Sequence, residues 1–210
     1  MPRRILIADD HFAVREGVQA LLRDTWPNYD YGGVPNQPAL MAALTASHWD
    51  LVLLDLTMPG RSGLEAVREI KDLSPSTAVL VYTMHPEDQL GVRALRSGAD
   101  GFLNKERAPE ELVSAVRRIL EGKRYISDTL ADRMAQFLAQ PETGTAVDLL
   151  SDREYQILKL LGSGHSPTDI ADQLHLSVKT VSTYRARVLE KLNLQTTADL
   201  IRYAIENKIT

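Results

Sequence analysis

The sequence predicts an α/β fold, a five-stranded doubly wound parallel sheet, followed by a small all-α domain. Three observations carry that expectation. Short apolar runs alternate with amphipathic stretches over residues 1–122. The clearest runs, Ile5 to Ala8, Leu51 to Leu54 and Ala78 to Tyr82, are apolar at consecutive positions, as in strands buried on both faces. From Leu150 onward no strand candidate remains. Alternating βα units require right-handed crossovers that cover both faces of a parallel sheet.

In chain order, Ile5 to Ala8 reads as a strand, and Ala13 to Arg23 as a helix with Val14, Val18, Leu21 and Leu22 on one face. A weak strand at Tyr29 to Val34 leads to a helix over Pro38 to Ser47, then to the central strand 51–55. Ser62 to Leu73 is a helix with Leu64, Val67, Ile70 and Leu73 inward, ended by Ser74-Pro75. Ala78 to Tyr82 is a strand, and Glu87 to Arg96 a helix closed by Ser97-Gly98. Gly101 to Leu103 is a short strand before a helix over Pro109 to Leu120. Asp128 to Ala139 is helical, and Gln140 to Ala146 is polar and punctuated by Pro and Gly, which is the composition of a linker. Four helices follow, at Asp152 to Leu161, Thr168 to Leu174, Val178 to Leu192 and Thr197 to Glu206, with Ser151 and Ser177 as N-caps. The domains expected are thus 1–122, a linker with one helix at 123–148, and 149–210.

Hydrophobic content of 44% and charged content of 25% are those of a soluble globular chain, and no apolar run approaches the ~20 residues of a spanning helix. A membrane protein is excluded. After Arg3-Arg4 the apolar run stops at four residues, short of a signal peptide, so a cytoplasmic location is expected. The lack of cysteine excludes disulfides, thiol catalysis and zinc–cysteine sites. The net charge of −4 is uneven, because residues 149–210 carry eight basic against seven acidic side chains and are the one net-positive third. Within it, Lys179, Arg185, Arg187 and Lys191 face only Glu190 across Ser177 to Leu192, a local positive face suited to phosphates.

Asp55 ends the central strand at the carboxyl edge, where open α/β sheets bind ligands, and Pro59-Gly60 forces a loop before the next helix. Asp9 and Asp10 follow the first strand, Thr83 the fourth and Lys105 the fifth. Taken alone, each reads more readily as a cap, a strand-end threonine or a solvated lysine. Together they place three carboxylates, a hydroxyl and an ammonium on one edge. Crowded carboxylates call for a cation, and oxygen ligands without Cys or His favour Mg2+. A carboxylate nucleophile, a metal and donors for phosphoryl oxygens are the parts of a phosphoryl-transfer site.

Asp9-Asp10, Asp55 with Met58-Pro59-Gly60, Thr83 and Phe102-Leu-Asn-Lys105 resemble the receiver domain of bacterial two-component response regulators, a flavodoxin-like fold, over residues 3–122. The resemblance implies that Asp55 accepts a phosphoryl group from the phosphohistidine of a partner sensor histidine kinase. It implies that Asp10, Asp55 and the Thr57 carbonyl hold Mg2+, with Asp9 assisting through water. Lys105 would pair with the phosphoryl group, while Thr83 would hydrogen-bond it and move. Phe102 matches an aromatic switch residue on the face of the fourth helix, fifth strand and fifth helix, without the hydroxyl of the tyrosine variant. Asn104 is polar where the family carries an aliphatic residue. Such a receiver catalyses only its own phosphoryl transfer and slow dephosphorylation, so no enzyme acting on a separate substrate is expected.

The helices 168–174 and 178–192 are joined by His175-Leu-Ser177, a turn of helix-turn-helix length. Val181, Val188 and Leu192 form an inward stripe, and Lys179, Ser182, Thr183, Ala186 and Glu190 an outward one. With Leu150 to Leu158 and Gly164 to Ala171, this run is similar to the LuxR-type helix-turn-helix across 149–206. Joined to a receiver, it is identified as a member of the NarL/FixJ class. The resemblance implies binding of double-stranded DNA at operator sites by Lys179, Ser182, Thr183, Tyr184, Arg185, Ala186, Arg187 and Lys191, regulation of transcription, and a homodimer when phosphorylated. Tyr184 stands where histidine is common and Thr197 where arginine is common. Leu200, Ile201, Ala204 and Ile205 give the last helix an apolar face for dimerisation.

Two other classes of protein share part of this pattern. A phosphatase of the haloacid dehalogenase type also uses a strand-end aspartate, Mg2+ and lysine, but needs an acid where Thr57 stands. A regulator with an inert receiver would not need the full acidic set.

Overall fold

The structure, a computed structural model, describes residues 2–58, 63–139, 147, 150–174, 176–207 and 209, with the side chains of 89, 136–139 and 152 outside that description. The expected linker at 140–146, Pro59-Gly60 and His175 lie outside the described residues. The chain forms two compact units, Met1–Ala135 and Gln136–Thr210.

In the first unit, β1 (Arg4–Ala8), β2 (Asp30–Val34), β3 (Leu51–Leu54), β4 (Ala78–Thr83) and β5 (Gly101–Asn104) make a sheet of order β2-β1-β3-β4-β5. Every pairing is parallel. The helices between them are α1 (Phe12–Thr25), α2 (Gln37–Ala46), α3 (Gly63–Leu73), α4 (Glu87–Arg96) and α5 (Pro109–Leu120). The order reverses between β2 and β3, so β1 and β3 flank the switch point at which such sheets open a crevice. Their register pairs Ala8 with Leu54, which sets Asp9 beside Asp55 one residue further on.

Strand residues alternate between the two faces. On one face Ile5, Ile7, Leu51, Leu53, Leu80 and Leu103 pack with Val18 and Leu22 of α1 and with Leu112, Ala115, Val116 and Ile119 of α5. Leu6, Val52, Leu54, Val79 and Val81 are equally buried on the other. Leu64, Val67 and Ile70 of α3 are buried as their spacing predicts, but Leu73 is 48% exposed. It is the last residue of its helix, beyond the reach of the sheet.

The loop after β3 turns tightly into α3. A Cβ at Gly63 would lie 2.5 Å from the Leu56 Cα, so only glycine lets the helix start this close to Asp55.

After α5, α6 (Asp128–Ala139) opens with the Ser127 Oγ accepting from the Leu130 N–H, and residues 123–135 belong to the first unit. The sequence reading assigned this stretch to the linker. The second unit holds α7 (Asp152–Gly162), α8 (Pro167–Leu174), α9 (Val178–Lys191) and α10 (Thr197–Glu206) around Ile157, Leu158, Ile170, Val181, Val188 and Leu200. Ser151 and Glu154 form a capping box on α7, and the Ser177 side chain caps α9. α9 ends where Asn193 takes a φ of 53° and the Leu194 N–H reaches the Leu189 carbonyl, a left-handed cap that asparagine tolerates. Among the described residues no helix is long and apolar enough to cross a membrane.

Leu53 touches the sheet's main core and is 1% exposed. Leu53→Ala should cost about 2–5 kcal/mol, read as a lower denaturant midpoint of the first unit's transition at an unchanged slope.

Candidate functional site

The carboxyl edge of the sheet gathers the polar residues that the sequence singled out. Asp9 and Asp55 are both 2% exposed, and Lys105 reaches between them. Its Nζ donates to the Asp9 Oδ2 at 2.5 Å and to the Asp55 Oδ2 at 2.6 Å. Thr57 closes over Asp55 with its hydroxyl on Oδ2 at 2.6 Å and its N–H on Oδ1 at 3.1 Å. On the far side the His11 N–H donates to the Asp9 Oδ1 at 2.8 Å.

These contacts decide the protonation states. Burial pushes the Asp55 carboxyl up, but the hydrogen bonds from Lys105 and Thr57 outweigh it and hold the group below the usual carboxylate range. Burial pushes the Lys105 ammonium down, and the bonds to Asp55 and Asp9 overcome this and hold it above its ordinary value. The residues therefore stand as carboxylate and ammonium. An ionised carboxylate at the end of a central strand, with its lysine in place, is a nucleophile with a donor beside it.

Asp10 is the third carboxylate. Its Oδ1 is buried without a hydrogen-bond partner among the described residues, although the His11 Nδ1 lies misaligned 2.8 Å away. A buried carboxylate oxygen that makes no hydrogen bond fits a cation as its counterpart. Asp9, Asp10, His11 and Asp55 bring ligand atoms within 4.8 Å of one another, so the pocket is compatible with a divalent metal ion. His11 was missed by the sequence reading, which counted no histidine near the site. The adjacency of His11 to Asp9-Asp10 in the chain was the signal available.

Thr83 ends β4 fully buried, with its Oγ1 accepting from the His85 N–H at 3.4 Å. Phe102 is 1% exposed, two residues before Asn104. The structure accounts for Asn104. Its Nδ2 donates to the Met84 carbonyl at 3.3 Å and to the His85 carbonyl at 3.1 Å, and its Oδ1 accepts from the Glu106 N–H at 2.7 Å. An aliphatic residue could not clip the loop after Thr83 to the loop that carries Lys105.

In the second unit, Lys179, Thr183, Ala186 and Arg187 are exposed on α9, while Ser182, Tyr184 and Arg185 are half-buried. The Arg187 guanidinium lies 5.9 Å from the Tyr184 ring centre. Lys191, expected as a DNA contact, also has a partner within the fold, and its side chain is 38% exposed. Its Nζ donates to the Glu154 Oε2 at 2.6 Å, and that carboxylate, 3% exposed in its side chain, also accepts from the Ser151 N–H. Burial raises the Glu154 carboxyl, and the bonds from Lys191 and Ser151 more than reverse this and hold it below the usual carboxylate range. Leu200 and Ala204 are core residues, which leaves the half-buried Ile201 and the 58% exposed Ile205 on the outer side of α10.

Asp55, with its lowered pKa, adds stability above its unfolded value of about 3.9 and loses it as pH falls through the lower folded value. Lys105, with its raised pKa, adds stability below about 10.4 and loses it as pH rises through the higher folded value. Between these limits, Lys105→Ala should destabilise the first unit by about 3–5 kcal/mol by leaving two buried carboxylates uncompensated. Asp55→Asn should flatten the acid limb, and thermal unfolding across pH measures both.

Comparison with known proteins agrees with this geometry. Residues 5–117 match the response regulator receiver domain model, and residues 148–204 match the model of bacterial regulatory proteins of the luxR family. The chain is 36% identical over 204 residues to the response regulator UvrY of Escherichia coli K12, covering 97% of this chain and 94% of that protein. It is 35% identical over 205 residues to the response regulator GacA of Pseudomonas aeruginosa, covering 97% and 96%. Among solved structures, RcsB from Salmonella enterica serovar Typhimurium bound to promoter rprA with the phosphomimetic BeF3- superposes with a TM-score of 0.71 at 26% identity, covering 97% and 98%. A receiver fold with its acidic edge, joined to a LuxR-type helix-turn-helix, places this chain in the NarL/FixJ class of two-component response regulators.

Proposed function

We propose that this protein is a transcription factor switched by phosphorylation of Asp55 by a partner sensor histidine kinase, with Mg2+ as cofactor. The observation that carries the reading is the ionised, buried Asp55 at the end of the central strand, with the Lys105 Nζ 2.6 Å away and Asp9 and Asp10 alongside. An Asp55 oxygen would attack the phosphorus of a phosphohistidine, forming an O–P bond as the N–P bond breaks and the imidazole leaves with the electron pair. Lys105 would then follow the new phosphoryl oxygens, since it already lies on the attacked carboxylate. Asp10, Asp55 and the Thr57 carbonyl would hold Mg2+, with Asp9 through water, and the ion would supply charge compensation for the phosphoryl oxygens.

The haloacid dehalogenase reading finds no support in this site. The residue two after Asp55 is Thr57, whose hydroxyl donates to Asp55 and offers no second acid. Turnover of a separate substrate therefore forms no part of the proposal. A regulator of transcription works where DNA and the kinase's transmitter meet, in the cytoplasm.

For DNA, α9 is the recognition helix. Ser182, Thr183 and Ala186 lie nearest the base edges, and none can make a bidentate contact with guanine. Lys179, Arg185 and Arg187, with Tyr184 beneath Arg187, are then the phosphate-facing groups. RcsB dimers have been captured on DNA, and a homodimer formed on phosphorylation would fix two half-sites in register here too. Ile201 and Ile205 of α10 are the apolar side chains available to that contact.

Two measurements test this. Acetyl phosphate with Mg2+ should label the full chain, Asp55→Asn should abolish the label, and undiminished label on that variant would overturn the assignment. In DNA binding across salt concentrations, Lys179→Ala should weaken binding to all sequences and reduce the salt slope by about one. Lys191→Ala should leave the slope unchanged and lower the thermal stability of the second unit instead, because its partner is Glu154.

A further inference from the structure

The stretch between α5 and the second unit is docked on the receiver by contacts that its sequence does not advertise. Tyr125 lies along the outer edge of β5 as a one-residue parallel bridge to Gly101. Its N–H donates to the Asp100 carbonyl at 3.0 Å, and its carbonyl accepts from the Phe102 N–H at 3.2 Å. Two residues later, the Ser127 hydroxyl donates to the Glu87 Oε2 at 2.6 Å in the first turn of α4. Leu130 is 1% exposed, and the Arg133 guanidinium donates to the Asp88 carbonyl.

Two glycines make the approach possible. A Cβ on Gly91 of α4 would lie 2.8 Å from a Leu130 methyl, and one on Gly101 would lie 2.7 Å from the Tyr125 carbonyl oxygen. With Leu130 and Tyr125 in place, a larger residue at either position would push the segment off. A polar cavity remains between the layers, lined by Glu87, Phe102, Asn104, Arg107, Glu111 and Tyr125. Phe102 has that open space beside it.

We infer that residues 123–135 are a latch on the α4–β5 face, held while Asp55 is unphosphorylated and released when it is phosphorylated. The latch rests on the proposed phosphorylation of Asp55 and is the part of the chain that reads it. The anchors of the latch lie on α4, which follows the Thr83 loop, and at β5, which carries Phe102. Thr83 can follow a phosphoryl group only by shifting the loop through Met84 and His85, which Asn104 clips and which leads directly into Glu87 and Asp88. Those residues hold Ser127 and Arg133. Phe102 carries the N–H that holds Tyr125, so rearrangement of its backbone loosens the bridge. A ligand shifts such an equilibrium only by its differential interaction with the two states, and here the difference lies in the hydrogen bonds to Tyr125, Ser127 and Arg133. The occupant of this face is the chain's own segment, so the face becomes available to a second copy only after the segment leaves.

The absence of cysteine allows a direct test in the full-length protein. Backbone hydrogen exchange would be followed with and without beryllium trifluoride and Mg2+, with fluorine NMR reporting occupancy at Asp55. The amides of Tyr125 and Leu130 should exchange at least about tenfold faster when the mimic is bound, while those inside α5 should not. A Gly91→Cys/Leu130→Cys pair, oxidised, should bind the mimic without that acceleration and regain it on reduction. Leu130→Ala alone should accelerate exchange at Tyr125 with no mimic present. Bound mimic with unchanged exchange at Tyr125 and Leu130 would overturn the latch and leave the phosphorylation reading intact. No bound mimic would overturn the phosphorylation reading and the latch with it.

Discussion

Three carboxylates cannot share one edge of a sheet without compensation, and the reach of Lys105 into that edge is the contact on which the site depends. Its ammonium joins Asp9, from the end of β1, to Asp55, from the end of β3, across a strand pair whose register brings the two side by side. Because both carboxylates are buried, the pair acts in a low dielectric where an unmatched charge is costly. The same costs make the site responsive. Anything that adds negative charge to Asp55 competes for the Lys105 ammonium already in place, beside an Asp10 oxygen that makes no hydrogen bond.

From this edge hydrogen bonds run outward over short distances. The Lys105 N–H is bonded to the Thr83 carbonyl at 2.9 Å, and Asn104 ties the following loop to the same corner. β4, β5 and the loop that leads into α4 therefore share one set of hydrogen bonds, and this set borders Phe102. The acidic pocket and the docked segment are joined through a single loop, and Gly91 and Gly101 mark how closely the segment sits.

The second unit shows a related economy of charge. Its formal excess of cations is small, and one of them, Lys191, serves the fold by compensating Glu154, which in turn caps α7. Lys179, Arg185 and Arg187 lie on the same helix, α9, with Lys179 at its exposed start. Thus the capping box of the first helix and the end of the recognition helix are one construction, and the orientation of α9 against α7 depends on it.

Much was legible in the sequence because it is local. Consecutive apolar residues mark strands covered on both sides, a 3.6-residue period marks each helix face, and Asp9, Asp10, Asp55, Thr83 and Lys105 follow strand ends by count alone. Parallel topology then forces them to one edge. Contacts between residues far apart in the chain, or between a side chain and a distant backbone, have no periodic signature. The sequence could therefore not show that Asn104 clips the Thr83 loop, that His11 turns toward Asp10, or that Leu73 falls past the edge of the sheet. Nor could it show that Lys191 meets Glu154 rather than solvent, or that Leu200 and Ala204 are core while Ile205 is exposed. The docking of 123–135 is the clearest case. Its residues read as a polar turn and an ordinary amphipathic helix, and only the tertiary arrangement sets Tyr125 on the open edge of β5 and Leu130 in the notch at Gly91, because both recesses are made by backbone where side chains are missing.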